Sequence, residues 1–186
     1  IDWHISKKSI DARKKADVHY IYSIDMIIKN EENYLKNNSK LITRINDTEN
    51  LFKNGLQLKT DSIHHLSKSP VIVGAGPSGL FAALTLVQNG LNPIIIEQGK
   101  PVEERQKDVE TFRKTGFINS LSNVQFGEGG AGTFSDGKLT TGIHSPYCKK
   151  VLEEFVKFGA PEEILYLSKP HIGTDNLINI IRNIRN

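Results

Sequence analysis

Residues 71–99 read VIVGAGPSGLFAALTLVQNGLNPIIIEQG, and the order of residue types in this stretch decides the fold. Val71, Ile72 and Val73 form an apolar run without polar alternation, which predicts a short parallel strand buried on both faces. Gly74, Gly76 and Gly79 follow at GxGxxG spacing. In such a turn the first glycine permits the tight bend, the second leaves room for a pyrophosphate, and the third lets the following helix pack close to the strand. The helix is expected to begin near Pro77 or Ser78, since a first helical turn has no use for the N–H that proline lacks. Its free amides and positive dipole end would face an anion. Leu80, Ala83, Leu84 and Val87, flanked by Leu86, make its inward stripe, and Asn89-Gly90 supplies a left-handed stop. Ile94, Ile95 and Ile96 predict a second buried strand, ending at Glu97, where an acidic residue receives the ribose hydroxyls of a dinucleotide. A carboxylate there only accepts, and two hydroxyls can both donate to it. Alone, GxGxxG is no more than a tight strand-to-helix turn; here the strand before, the helix after, the second strand and the terminal acid all stand in place.

The chain has 186 residues, enough for one large domain or two small ones, and its 38% hydrophobic and 24% charged residues are those of an ordinary globular protein. No apolar run approaches the ~20 residues of a membrane helix, and no leader with a cleavage site is visible, so the expected location is cytoplasmic. Cys148 is the one cysteine, which excludes an internal disulfide framework and the paired-thiol chemistry of disulfide reductases. The net charge of +3 arises entirely before Pro70, where 12 basic residues face 9 acidic ones. Although Lys7, Lys8, Arg13, Lys14 and Lys15 cluster, so small an excess describes a solvated face and argues against a nucleic-acid partner.

Before the central stretch, Ile1 to Ile5 reads as a strand, and Val18 to Ile28 as a half-buried one, with Val18, Tyr20, Tyr22, Ile24, Met26 and Ile28 on one side. A short helix is expected over Glu31 to Leu41 with Tyr34 and Leu35 inward. Asn46 to Ser69 is polar, with apolar islands at Leu51-Phe52 and Leu56 to Leu58. This gives a small α+β domain and linker over residues 1–69, followed by residues 70–186 as a nucleotide-binding domain. His64-His65, His4 and His19 lack acidic or cysteine partners at ligand spacing, so no metal site is expected.

After Gly99, Val102 to Lys114 fits a helix on Val102, Val109 and Phe112, with Glu103-Glu104 in its first turn. Arg105 either reaches a phosphate or pairs with Glu104 or Asp108. Residues 123–142 read NVQFGEGGAGTFSDGKLTTG, too rich in glycine for a regular helix or a central strand. A flexible surface loop is one reading. Phe126, Phe134 and Leu139, interleaved with amides that can form an anion nest, favour a loop covering a ligand. Pro146 to Phe158 predicts an amphipathic helix stopped by Gly159, Pro161 starts a short one, and Thr174 or Asp175 caps a last helix with Leu177, Ile178, Ile181 and Ile184 inward. The chain starts without methionine and shows no strand after this helix, so the expectation is an incomplete sheet whose completing strands lie in a missing C-terminal part.

Three stretches, KKSIDARKK with YIYSIDM, the VIVGAGPSGLFAALTL fingerprint with IIIEQG, and NVQFGEGGAGTFSDGKLTTG with KPHIGTD, resemble in that order the uncharacterised FAD-dependent dehydrogenases of bacteria, also called NAD(FAD)-utilising dehydrogenase-like proteins. Both FAD and NAD offer the same ADP half to the fingerprint, and it is the similarity to flavoprotein sequences of the GAGPxG type ending in Glu that favours FAD. The resemblance implies an α/β, Rossmann-type FAD/NAD(P)-binding fold behind a small α+β domain, in a longer oxidoreductase. It implies Gly74, Gly76, Ser78 and Gly79 at the pyrophosphate and Glu97 at the adenosine ribose, with Pro77 and Gln98 as neighbouring cofactor-binding candidates. Gly129, Gly130, Ala131, Gly132, Thr133 and Ser135 would lie near the pyrophosphate or the flavin ring, with Arg105 as a further cofactor-binding candidate. NAD(P)H is expected as a second cofactor, donating electrons; no residue is assigned a catalytic role. Competing readings are an NAD(P)-binding enzyme, a flavin-dependent RNA-modifying enzyme, and a nucleotide-binding module without turnover.

Overall fold

A computed structural model describes residues 2–37, 41–44, 68–143 and 145–186. The expected apolar islands at 51–58, the His64-His65 pair and most of the expected linker lie outside the described residues, as do Ile1 and residues 38–40 of the expected first helix, whose expected end, Leu41, is in an exposed turn.

Strands β1 (Asp2–Asp11) and β2 (His19–Ile27) form an antiparallel hairpin with a register shift between Ile5 and Lys7. β1 thus runs six residues beyond the expected Ile5. Its backbone also pairs with a distant segment: Lys8 N–H donates to the Tyr166 carbonyl (2.7 Å) and Ser168 N–H to the Lys8 carbonyl (3.0 Å). The expected half-burial of β2 is not met, because Tyr20, Tyr22, Ile24 and Met26 are all exposed. Alternation states which residues share a face, but not what covers it. Part of the basic cluster is neutralised locally: Arg13 donates to Asp11, whose carboxyl is held down to about 2, and the Lys8 ammonium lies 4.5 Å from the Tyr20 ring centre. Helix α1 (Glu31–Asn37) is short, with Leu35 partly covered and Tyr34 exposed rather than inward.

Strands β3 (Val71–Val73) and β4 (Ile94–Ile96) run parallel in register, joined through α2 (Pro77–Gln88). The ladder is prolonged at both ends, by Ile94 N–H to the Pro70 carbonyl and Gly74 N–H to the Ile96 carbonyl. Helix α2 stops at Asn89, followed by the left-handed Gly90, φ 79°. Its buried residues are Leu80 and Ala83, whereas Val87 is exposed. The strands are not covered on both faces as expected: Val73 is 85% exposed, and Val71 and Ile94–Ile96 are exposed too. Two strands are all that this sheet contains among the described residues, and they are far from a closed parallel core.

Helix α3 (Val102–Thr115) ends at left-handed Gly116; α4 (Pro146–Lys157) is capped by the Ser145 hydroxyl, which accepts from Tyr147 N–H, and stops before Gly159; α5 spans Thr174–Arg185. The cap of α5 is Gly173, not Thr174 or Asp175; the Thr174 hydroxyl is occupied with the Ser135 carbonyl. α5 is the central strut. Ile178 and Ile181 pack with Ala75, Leu80, Val102, Val109 and Phe134, while Leu177 and Ile180 pack with Ala160, Ile164 and Ile172, and Ile184 touches both clusters. Burial along two faces explains why Ile180, outside the single expected stripe, is completely buried.

Ile180→Ala should therefore destabilise the fold by about 2–5 kcal/mol, the usual cost of a buried large-to-small change. Urea unfolding measures it, and an unchanged midpoint would remove α5 from its central place.

Candidate functional site

The three glycines of the fingerprint turn differ in what requires them. Gly74 has φ 100°, a conformation that a side chain disfavours. At Gly79 an added Cβ would lie 1.9 Å from the Gly74 carbonyl oxygen, so only glycine lets α2 approach the turn. Gly76 has an ordinary extended backbone, φ −71° and ψ −178°, and a Cβ there would meet nothing within 4 Å. The chain itself gives no steric reason for glycine at 76. The space above it is open at the N-terminus of α2, whose cap residue contributes no side chain to the first-turn amides. Pro77 and Ser78 stand exposed beside it.

Glu97, at the end of β4, accepts from Ala75 N–H through Oε2 (2.6 Å) and from Gly99 N–H through Oε1 (2.8 Å). Its carboxylate is thus fixed beside the turn, each oxygen keeping a lone pair for another donor. Gln98 is exposed next to it.

The glycine-rich segment lies against the same turn. Gly129 N–H donates to the Ala75 carbonyl (2.8 Å), and a Cβ on Gly130 would sit 3.0 Å from Pro77 Cδ. Residues Ala131–Phe134 form a 3-10 turn, with Ala131 and Gly132 exposed, Thr133 and Phe134 buried, and Ser135 exposed at its end. Gly132 resembles Gly76 in having open space where a Cβ would be. Thr133 differs from its neighbours: its hydroxyl is buried and has no hydrogen-bond partner among the described residues. The far end of the segment is held by the stretch just before α5, through Ile172 N–H to the Gly137 carbonyl and Leu139 N–H to the Pro170 carbonyl.

Arg105 is fully buried and pairs with neither Glu104 nor Asp108; Asp108 bonds Lys100 (2.8 Å), which holds that carboxyl below its usual range. Its Nε donates to the Asn123 carbonyl, Nη1 to those of Glu128 and Gly130, and Nη2 to those of Asn123 and Val124. All five guanidinium N–H groups are taken, which leaves none for a phosphate. Burial pulls its pKa down, while Glu97 and Glu128 oppose that shift.

Glu128 escaped the reading of the sequence. It is buried, and its Oε2 accepts from Val102 N–H (2.7 Å) and Arg185 (2.7 Å), so it caps α3 from a distance and ties α5 to it. Arg185 also bonds Glu103 (2.6 Å), holding that carboxyl below its usual range. The signal was present: Glu128 is the single charge between Asn123 and Ser135. Glu97, Glu128, Lys100 and Arg185 line the polar end of a cleft of about 470 Å³ whose other walls include Leu80, Leu84 and Ile95. Among the described residues no group of three or more His, Cys, Asp or Glu converges as metal ligands, and no helix is long and apolar enough to cross a membrane.

Residues 69–128 match the family model described as FAD binding domain, a span that holds β3, α2, β4 and α3 and ends at Glu128. The match supports FAD binding on an α/β fold; it lends no support to NAD(P)H. An uncharacterized protein of Clostridium beijerinckii is 46% identical over 183 residues, covering 97% of this chain and 33% of the relative. The chain thus spans about a third of the length of that relative.

Two substitutions separate the jobs of the glycines. Gly79→Ala should lower stability by about 2 kcal/mol or more, since the obstructing atom is backbone, while Gly76→Ala should cost about 1 kcal/mol or less. Denaturant titration of both decides it, and equal losses would contradict the geometry.

Proposed function

We propose that this chain carries the dinucleotide-binding part of an FAD-dependent oxidoreductase with a Rossmann-type fold. The observation that carries this reading is Gly76, a glycine with neither a backbone nor a packing requirement, beneath open space at a helix N-terminus. That space suits a pyrophosphate, which the first-turn amides and positive end of α2 would hold. Glu97 would accept the adenosine ribose hydroxyls with the lone pairs that Ala75 and Gly99 leave free. Gly130, Ala131 and Gly132 would border the phosphates from the opposite side. When bound, the flavin supplies the hydride chemistry, and the protein contributes binding and orientation. The family match over residues 69–128 supports FAD over a pyridine nucleotide.

The test is the visible spectrum of the purified intact protein, beside Gly76→Val and Glu97→Ala. A flavin spectrum is expected from the parent. Gly76→Val should be folded but colourless, and Glu97→Ala should bind FAD at least about tenfold more weakly, because hydrogen bonds to a charged acceptor contribute roughly 1.5–3 kcal/mol each. A colourless parent that takes up no added FAD would overturn the proposal.

A further inference from the structure

We propose that Arg105 is a positioning residue, which sets the glycine-rich segment 123–135 against the fingerprint turn before any cofactor arrives, and so acts on FAD through that segment and not through its phosphates. This inference rests on the FAD reading above.

Four carbonyls, those of Asn123, Val124, Glu128 and Gly130, converge on one guanidinium at 2.5–3.4 Å. All belong to the segment whose next contact is the turn, through Gly129 N–H to Ala75. The ring of Phe134, from the same segment, lies 4.8 Å from the guanidinium carbon. The packing leaves no room for a side chain at either of two glycines. A Cβ on Gly127 would be 2.4 Å from Arg105 Cδ, and one on Gly99 would be 2.4 Å from Gly127 Cα. Glycine at 99 and at 127 is thus what lets the segment close down on Arg105.

A buried cation is costly unless its hydrogen bonds are complete, and here they are completed by main-chain dipoles. Removing the guanidinium would leave four carbonyls without their donor and free the segment to move. A ligand would then have to order it on binding, and affinity falls by that cost. Lysine cannot substitute, for it is a point charge with three donors, whereas the carbonyls match a planar fork. A phosphate, by contrast, accepts lysine readily.

The experiment uses the intact protein, stripped of flavin, and its Arg105→Lys, Arg105→Met and Phe134→Leu variants. FAD affinity is measured by titration, and order in the segment by the rate of chymotryptic cleavage after Phe126. Arg105→Lys and Arg105→Met should both bind FAD about tenfold or more weakly and be cut faster, with unchanged far-UV circular dichroism. Near-parental affinity in Arg105→Lys with a loss confined to Arg105→Met would identify a direct phosphate contact and overturn the proposal. Parental affinity and cleavage in both would overturn it too. Should neither Arg105 variant fold, Phe134→Leu decides: about threefold weaker binding with faster cleavage is expected, and parental behaviour contradicts the inference. Failure of the FAD reading would show separately, as a parent that takes up no flavin, and the cleavage rates would still decide whether Arg105 holds the segment.

Discussion

The peptide groups on either side of Ala75 are the joint on which the site depends. Its N–H is held by the Glu97 carboxylate at the end of β4, and its carbonyl accepts from Gly129 in the glycine-rich segment. One buried residue therefore sets the distance between the fingerprint turn, the candidate ribose acceptor and the segment facing them. Its side chain belongs to the same cluster as Leu80, Val102, Phe134, Ile178 and Ile181, which couples this joint to α2, α3 and α5. Hydrogen bonds of main-chain groups on a buried residue are costly to leave unmade, and they hold the three segments together.

Around the joint, charge is used for position. Arg105 fastens the segment by its carbonyls, and Glu128 stands between the first amide of α3 and Arg185 of α5. Both are buried; Arg105 reaches across 18 to 25 residues of sequence and Glu128 across 26 to 57. Paired or hydrogen-bonded burial of this kind is a device for fixing one arrangement more than for adding stability.

How much of this was legible in the sequence follows from the range of each interaction. The turn is local: Gly74 and Gly79 need glycine for reasons that spacing foretells, and the open space at Gly76 agrees with the same pattern. The strand, helix and strand of 71–96 and the helices from 102 onward were legible from runs and periodicity. Arg105 was not, because its partners are carbonyls, which every residue carries and no side-chain pattern marks. Ile180 was missed because a single-stripe rule assigns a helix one inward face, whereas α5 has two. The exposure of Val73, Tyr20 and Met26 was also beyond reach, since alternation or an apolar run says nothing about whether a covering layer is present.

A fingerprint turn and a glycine-rich segment that form one ligand-binding unit joined through Ala75 should respond to FAD as one, which is open to measurement. Amide hydrogen exchange of the intact protein, with and without FAD, tests it most directly. FAD should slow exchange in residues 74–79 and 127–133 together and by comparable factors. Protection confined to 74–79, with 127–133 exchanging as before, would show that the segment is packing alone and would contradict the claim.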